Sequence, residues 1–194
     1  MKKGESKKGF TIIEVVLVLA IAGLIFTMVF VALPALQRSQ RDNARRDDML
    51  SFISNVKKYQ TNNRGALPKK DDSLAVVEVV VGSSGWTGAK TTDTNWFGFY
   101  KGYLGENFRD PDGENYKLRV TGCASGVDEA CSNQVIDKFY EHNFQENNYA
   151  MIVVLQSKCG TKSDGTVTAV GSSNPRNVSV LYRLESAGIY CANT

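Results

Sequence analysis

The chain has 194 residues, 42% of them hydrophobic and 22% charged, with a formal net charge of +3. That length suits one membrane segment plus one modest globular domain, with enough chain to bury a real core. Of the 23 basic and 20 acidic residues, Lys2, Lys3, Lys7, Lys8 and Glu5 fall in the first nine; the remaining 19 and 19 cancel, and with no basic stripe or known motif there is no signal for direct nucleic-acid binding.

In chain order the first element is the basic leader MKKGESKKG, and an apolar run follows it. From Val15 to Leu36 the 22 residues carry no formal charge. As a helix they span roughly 33 Å, enough to cross a hydrocarbon core of about 30 Å. One carboxylate, Glu14, stands at the head of the run, where an unpaired charge is costly. A cleaved secretory signal also begins with basic residues, but its apolar core is usually only about 7–15 residues long and ends at a small-x-small site. Here the run is longer, and the pair Ala32 and Ala35 has the wrong spacing for that site. The basic leader is expected to stay cytoplasmic and the large C-terminal part to lie outside.

The helix does not end with the apolar run. Met49, Phe52, Ile53, Val56 and Tyr59 recur at spacings of three and four, which gives one apolar helical face. Asn62, Asn63 and Gly65, followed by Pro68, form a stop signal. One helix is therefore expected over residues 10–63, with an apolar first half and an amphipathic second half. Between Arg38 and Asp48 the only apolar residue is Ala44, so this spacer is expected to be solvated or packed against neighbouring subunits. Asp42 can pair along the helix with Arg38 or Arg46, each four residues away. Gly23 and Pro34 are the weak points of the helix, Pro34 because it removes one intrahelical hydrogen bond and clashes with the preceding turn.

Beyond Gly65 the pattern changes. SLAVVEVVVG is rich in β-branched residues and reads as a strand or a short buried helix. The next stretch mixes glycine with Trp86, Trp96, Phe97, Phe99, Tyr100 and Tyr103 without clean periodicity, and reads as a long packed loop. Four strand candidates follow: NYKLRV, YAMIVVLQS, NVSVLYRLE and GIYC, with Ser186, Ala187 and Gly188 able to close a hairpin between the last two. One long helix followed by a run of strands argues for an α+β unit, with an antiparallel sheet packed on the second half of the helix.

All four cysteines, Cys123, Cys131, Cys159 and Cys191, lie in the expected exterior part. No C-x-x-C occurs and His142 is the only histidine, so two disulfides are a better reading than zinc. Four cysteines allow three connectivities; pairing neighbours in sequence gives Cys123–Cys131 and Cys159–Cys191, worth about 2.6 and 3.7 kcal/mol on the chain-entropy estimate. Buried free thiols are the alternative. An anchored enzyme finds little support: His142 has no second histidine and no nucleophile motif beside it, and Asp71-Asp72 looks like solvated loop charge. No catalytic residue and no cofactor is expected.

Gly9-Phe10-Thr11-Ile12-Ile13-Glu14, after a short lysine-rich leader and before an apolar helix, resembles the class III signal of type IV prepilins. The resemblance is strong over residues 1–36 and architectural over residues 37–194. It implies the ladle-like pilin fold, no enzymatic activity, and this division: a cleaved leader at 1–9, a transmembrane and filament-core helix half at 10–36, an amphipathic half at 37–64, and an exterior β-domain at 65–194. It also implies cleavage by prepilin peptidase between Gly9 and Phe10, methylation of the new Phe10 amine, and assembly into a helical filament with other copies and other pilins on an assembly platform. Thr11, Glu14, Gly23 and Pro34 are the implied assembly residues, with Glu14 meeting a terminal amine, either its own or a neighbour's. The protein would begin as a single-pass cytoplasmic-membrane protein and end in an extracellular pilus supporting adhesion, motility or DNA uptake. The Cys159–Cys191 span would match the C-terminal disulfide-bounded loop of pilins. FRDPDGENYKL is similar to the D-P-x-G-x-x-Y entry into the sheet of major pseudopilins of type II secretion, which gives a second reading as a secretion pseudopilin. Asp110, Asp112 and Glu114 also offer oxygens to Ca²⁺, although D-P-D-G is first a turn sequence. Asn177-Val178-Ser179 fits a glycosylation sequon. A membrane-anchored binding module that never assembles is the remaining alternative.

Overall fold

The structure, a computed structural model, describes residues 9–69, 77–80, 94–105, 108–132, 136–137, 150–186 and 188–194. It falls into two compact units that divide between Gln40 and Arg41. Helix α1, Ile12–Asn62, contributes to both. Its first part carries the apolar run, whose large side chains are exposed throughout: Leu24 is 73% exposed and Phe30 74%. The helix continues through Pro34 and stops where the sequence signals it, with Arg64 and Gly65 both at positive φ and the Gly65 N–H donating to the Gln60 carbonyl at 2.6 Å.

The second unit is an α+β layer structure. Strands β1 (Val77–Val80), β2 (Lys117–Gly122), β3 (Ala150–Leu155), β6 (Val178–Leu184) and β7 (Gly188–Asn193) form a sheet in the order β1-β2-β3-β6-β7. Strands β4 (Ser157–Thr161) and β5 (Val167–Gly171) form a separate antiparallel pair. The β-branched run thus includes a strand rather than a helix. The hairpin between β6 and β7 forms in the register Leu184↔Gly188, with Ser186 in its turn and Ala187 outside the described residues.

Three features depart from the sequence reading. The β2–β3 pair is parallel, Leu118 opposite Met151 and Val120 opposite Val153, so the sheet is mixed. A parallel pair needs a long crossover, and the chain between Gly122 and Ala150 is long enough for one. The stretch read as a loop instead contains α2, Thr94–Phe99, which runs into a π-helical turn, Tyr100–Leu104. Its glycines masked the helical spacing of Trp96, Phe99, Tyr100 and Tyr103; Trp86 and the side chain of Phe97 lie outside the described residues. Strands β4 and β5 were not anticipated, because SKCGT and VTAVG are short and contain glycine.

Two buried clusters flank the five-stranded sheet. On one face Met49, Phe52, Ile53 and Val56 of α1 pack with Leu118, Val120, Met151, Val153, Val180 and Tyr182, alternate residues of three strands. Aromatic edges close this layer, with ring centroids 5.7 Å apart for Phe52–Phe99 and 5.6 Å for Tyr59–Phe99. The intervening residues Ala150, Ile152, Val154 and Leu181 face the opposite way into a cluster with Cys131, Ile136 and Ala169. Strand β3 is therefore covered on both faces, which explains its unbroken apolar sequence AMIVVL.

The cysteines tie this second layer down. Cys159 of β4 is bonded to Cys191 of β7, joining the two sheets, and Cys123 is bonded to Cys131. The shorter loop lies along β5, with the Cys131 N–H donating to the Ala169 carbonyl at 2.8 Å and the Gly171 N–H to Glu129 at 2.9 Å. A Cβ at Gly171 would come within 2.2 Å of the Gly126 carbonyl oxygen, so only glycine permits that approach. Replacing Phe52, fully buried, by alanine should lower the unfolding free energy of the detergent-solubilised chain by about 3–5 kcal/mol. Leu50→Ala, at a position 51% exposed on the same helix, should change it by less than about 0.5 kcal/mol in the same urea titration.

Candidate functional site

Gly9 and Phe10 precede the first turn of α1 and both are exposed, Phe10 at 90%. A Cβ built on Gly9 would meet nothing within 4 Å. Nothing in the described fold therefore requires glycine at that position.

The helix opens at Thr11-Ile12-Ile13-Glu14 with a reciprocal cap. The Glu14 carboxylate accepts the Thr11 N–H at 2.8 Å and the Thr11 hydroxyl at 2.9 Å, and the Glu14 N–H donates to Thr11 Oγ1 at 3.4 Å. This is a capping box, worth about 1 kcal/mol to the helix terminus. T-x-x-E makes this partner of Glu14 legible in the sequence, beside the terminal amine that the resemblance implies for it after processing. The carboxylate is thus already engaged one residue from Phe10, and its position at the first turn also favours the helix dipole.

From Val15 to Leu36 the helix shows apolar side chains on every side. It is the one helix among the described residues long and apolar enough to cross a membrane. A fully apolar helix surface is stable only against lipid or other apolar helices. Within it the Thr27 hydroxyl donates to the Gly23 carbonyl at 2.9 Å, and Gly23 leaves an open notch that no neighbour fills among the described residues. Pro34 lies inside the helix and cannot donate to the carbonyl one turn earlier.

In the second unit the residues expected to be solvated form its most polar buried site. Asp42 and Arg45 are 2% and 3% exposed. Arg45 donates through Nε and Nη2 to both oxygens of Asp110, each at 2.8 Å, and through Nη1 to Glu185 at 2.6 Å and Asp42 at 3.4 Å. Tyr182 donates its hydroxyl to Asp110 at 2.8 Å. Asp42 accepts the backbone N–H groups of Glu185 and Ser186 at 2.8 and 2.9 Å, together with the Ser186 hydroxyl, so it caps the β6–β7 turn. The solvated-spacer expectation fails because a polar residue can be buried once every polar atom is partnered across the chain. Such partners, 65 to 144 residues away, are invisible to local pattern. Arg46 is not the helical partner of Asp42; its guanidinium lies over the Tyr190 ring, 5.6 Å from the centroid.

The electrostatics follow from these bonds. Hydrogen bonds to Asp110 and Glu185 hold the Arg45 guanidinium charged. Burial alone would raise Asp42 and Asp110, but the donors from Ser186 and the turn backbone, and from Arg45 and Tyr182, outweigh it and leave both carboxyls lowered. Glu185 falls to about 2, chiefly through its bond to Arg41. Asp48 moves the other way: burial raises it, against a 2.7 Å hydrogen bond donated by Tyr116.

Residues 6–30 match the family model described as the prokaryotic N-terminal methylation motif. The chain carries a class III prepilin signal. The match spans the lysine-rich leader from Ser6, the Gly9-Phe10 junction, the Thr11–Glu14 box and Gly23, and ends before Pro34. No curated protein and no solved structure matches the chain. The apolar helix and the prepilin signal fit a membrane-anchored protein before assembly, and the signal implies processing by prepilin peptidase and assembly with other pilins.

The structure gathers the other candidate residues differently from the sequence. Asp110, Asp112 and Glu114 form a turn: the Asp112 N–H donates to Asp110 Oδ1 and the Glu114 N–H to Asp112 Oδ1, both at 3.2 Å. The cation at this turn is the Arg45 guanidinium, and among the described residues no group of three or more His, Cys, Asp or Glu side chains is placed to hold a metal ion. Asn177 donates its amide to Ser172 Oγ at 2.9 Å, with Val178 and Ser179 buried in β6. His142 and Asp71-Asp72 lie outside the described residues.

Arg45→Ala leaves Asp110 buried without its cation and should cost about 3–5 kcal/mol, read as a lower urea midpoint for the detergent-solubilised chain. The lowered carboxyls Asp42, Asp110 and Glu185 contribute their stability in full above the unfolded carboxylate range, about pH 4–4.5, and lose it as pH falls through their folded values. Asp48, raised, opposes them. With three against one, stability should decline between about pH 4.5 and 2, and the decline should flatten in Glu185→Gln, measured by denaturant midpoints across that range.

Proposed function

We propose that this chain is a structural subunit of a type IV pilus filament, made as a prepilin and assembled after processing. The prepilin signal at residues 6–30 is the observation that carries this reading. Cleavage falls between Gly9 and Phe10. A protease must bring an extended backbone close to its catalytic groups, and a glycine that the fold itself does not need supports a requirement imposed from outside. Phe10 then becomes the amino terminus and is methylated, and residues 10–36 serve first as anchor and later as filament core. The leader stays on the cytoplasmic side and residues 65–194 lie outside the membrane, extracellular once assembled. The activity is self-assembly on a platform, with adhesion, motility or DNA uptake as outputs of the whole fibre; the subunit is structural rather than catalytic.

Glu14 has a defined place in this reading. In the apolar environment of a helix bundle an uncompensated carboxylate costs several kcal/mol, and a terminal ammonium offsets much of that. The capping box holds the carboxylate toward residue 11, so the amine created at Phe10 appears within a residue of the oxygens that receive it. Because the penalty falls on misplaced subunits, the charge pair contributes register more than net stability. The D-P-x-G-x-x-Y run at residues 110–116 supports a second reading, a type II secretion pseudopilin, in which the same processing builds a short fibre.

Mass spectrometry of the membrane-extracted protein should show loss of nine residues and a methylated Phe10; an intact Met1, or cleavage beyond Leu36, would sink the filament reading in favour of a non-assembling anchored module. Gly9→Val should leave the leader attached. Glu14→Val should still be cleaved, but with filament yield or Phe10 methylation reduced at least tenfold, scored by electron microscopy of sheared fibres and by mass spectrometry.

A further inference from the structure

Several cations of the second unit are matched within the chain: Arg41, Arg45 and Lys158 each reach a carboxylate. Lys57, Arg64 and Arg176 are not. All three are exposed, and their side chains form no ion pair or hydrogen bond among the described residues. They come from parts of the chain without acids: none lies between Ser51 and Lys69, or between Gly165 and Leu184.

The fold draws these three together at the end of α1. Gln60 fixes the approach, its amide donating to the Arg176 carbonyl at 2.7 Å across 116 residues of sequence. A Cβ at Gly65 would stand 2.7 Å from Arg176 Cζ, so the guanidinium lies against the Gly65 backbone. Glycine is needed there for space as well as for its φ of +83°. Arg64 is the residue before, and one Cα–Cα step of about 3.8 Å puts its Cα within about 8 Å of the Arg176 guanidinium carbon. Lys57 lies on the Gln60 flank of the helix, one turn earlier and about 60° around. Like charges this close repel, and an anion from outside relieves the repulsion. The sequence shows no basic stripe because the two arginines come from distant segments that meet only in the fold.

We propose that Lys57, Arg64 and Arg176 form a surface that binds duplex DNA through its phosphates. A guanidinium fork matches phosphate oxygens bidentately. Duplex DNA carries one charge per about 1.7 Å of axis, so three cations grouped at one helix end each find a phosphate without a fixed register. A uronic-acid polymer offers one charge per sugar and meets fewer of them. The rings at the helix end are committed elsewhere: Tyr59 and Tyr103 pack edge to face at 5.3 Å, and Tyr103 stacks on Phe99 at 5.5 Å. That leaves phosphate contact rather than base stacking, and hence binding without sequence preference. Three contacts make a weak site in one copy, and repetition along a fibre multiplies it. That amplification rests on the filament reading, and among the outputs of such a fibre it points to DNA uptake.

Salt dependence tests it, read by fluorescence anisotropy of a labelled duplex of about 20 base pairs with the detergent-solubilised chain, between about 50 and 200 mM salt. The triple variant Lys57→Gln, Arg64→Asn, Arg176→Gln should bind at least tenfold more weakly at the lower salt. It should also flatten the slope of log affinity against log salt by about 2.7, at about 0.9 per lost contact. Its urea midpoint should stay that of the unaltered chain, since all three side chains are exposed. Lys162→Gln removes one charge at the β4–β5 turn and should leave affinity and slope unchanged. An unchanged slope in the triple variant assigns any binding to the lysine-rich leader and overturns the proposal, as does an equal loss in Lys162→Gln. Polygalacturonate bound as tightly as the duplex, at equal charge concentration, overturns duplex DNA as the partner. A chain from membranes that keeps its leader counts against the filament reading alone, and the slope difference between variants still decides the surface.

Discussion

One guanidinium holds the second unit together. Arg45 reaches the Asp110 turn before β2 and the Glu185 turn after β6, while Asp42, three residues earlier on the same helix, caps the second of those turns. Two helix positions thus fix two turns that are far apart in sequence, beside the apolar contacts of Met49, Phe52, Ile53 and Val56. A buried charge set of this kind adds little net stability, since desolvation opposes the Coulomb gain. Its value lies in position. An apolar face can slide along a sheet by a turn at small cost, whereas a displaced Arg45 would leave Asp110 buried without its cation.

The first part of α1 obeys a different constraint. Its apolar surface has no partner within the described unit, so its stability has to come from lipid or from other helices. The only carboxylate of that region sits in the first turn and is held by Thr11. Charge is thus confined to the end of the segment where processing would introduce an ammonium. A prepilin signal is in this sense a physical arrangement as much as a recognition sequence, combining a glycine no packing requires, a helix cap, and a carboxylate at the head of an apolar rod.

The two parts of the helix divide the work. The apolar part gives cohesion without direction, because leucines and valines pack equally well at many displacements. Direction has to be supplied by polar groups, and the apolar part carries one carboxylate, Glu14 at its head. The matched cluster around Arg45 ties the second part of the helix to the turns at Asp110 and Glu185.

Much of this was legible in the sequence, because it depends on local pattern. The extent of α1, its stop at Asn62, the inward face of its second part, the strands β2, β3, β6 and β7, and the prepilin signal all follow from periodicity, turn chemistry or a contiguous motif. Even the Thr11–Glu14 cap is written there as T-x-x-E. What only the tertiary structure decided are the features whose partners lie far along the chain. The parallel direction of β3 against β2 depends on a crossover, and the β4–β5 pair on a disulfide and the Gly171 contact. The helical turns around Trp96 and Tyr100 are set by the aromatic layer on Phe52. Burial of Asp42 and Arg45 was the furthest from local reading. A polar spacer is solvated by default, and only acceptors and donors arriving from residues 110, 185 and 186 make its burial possible.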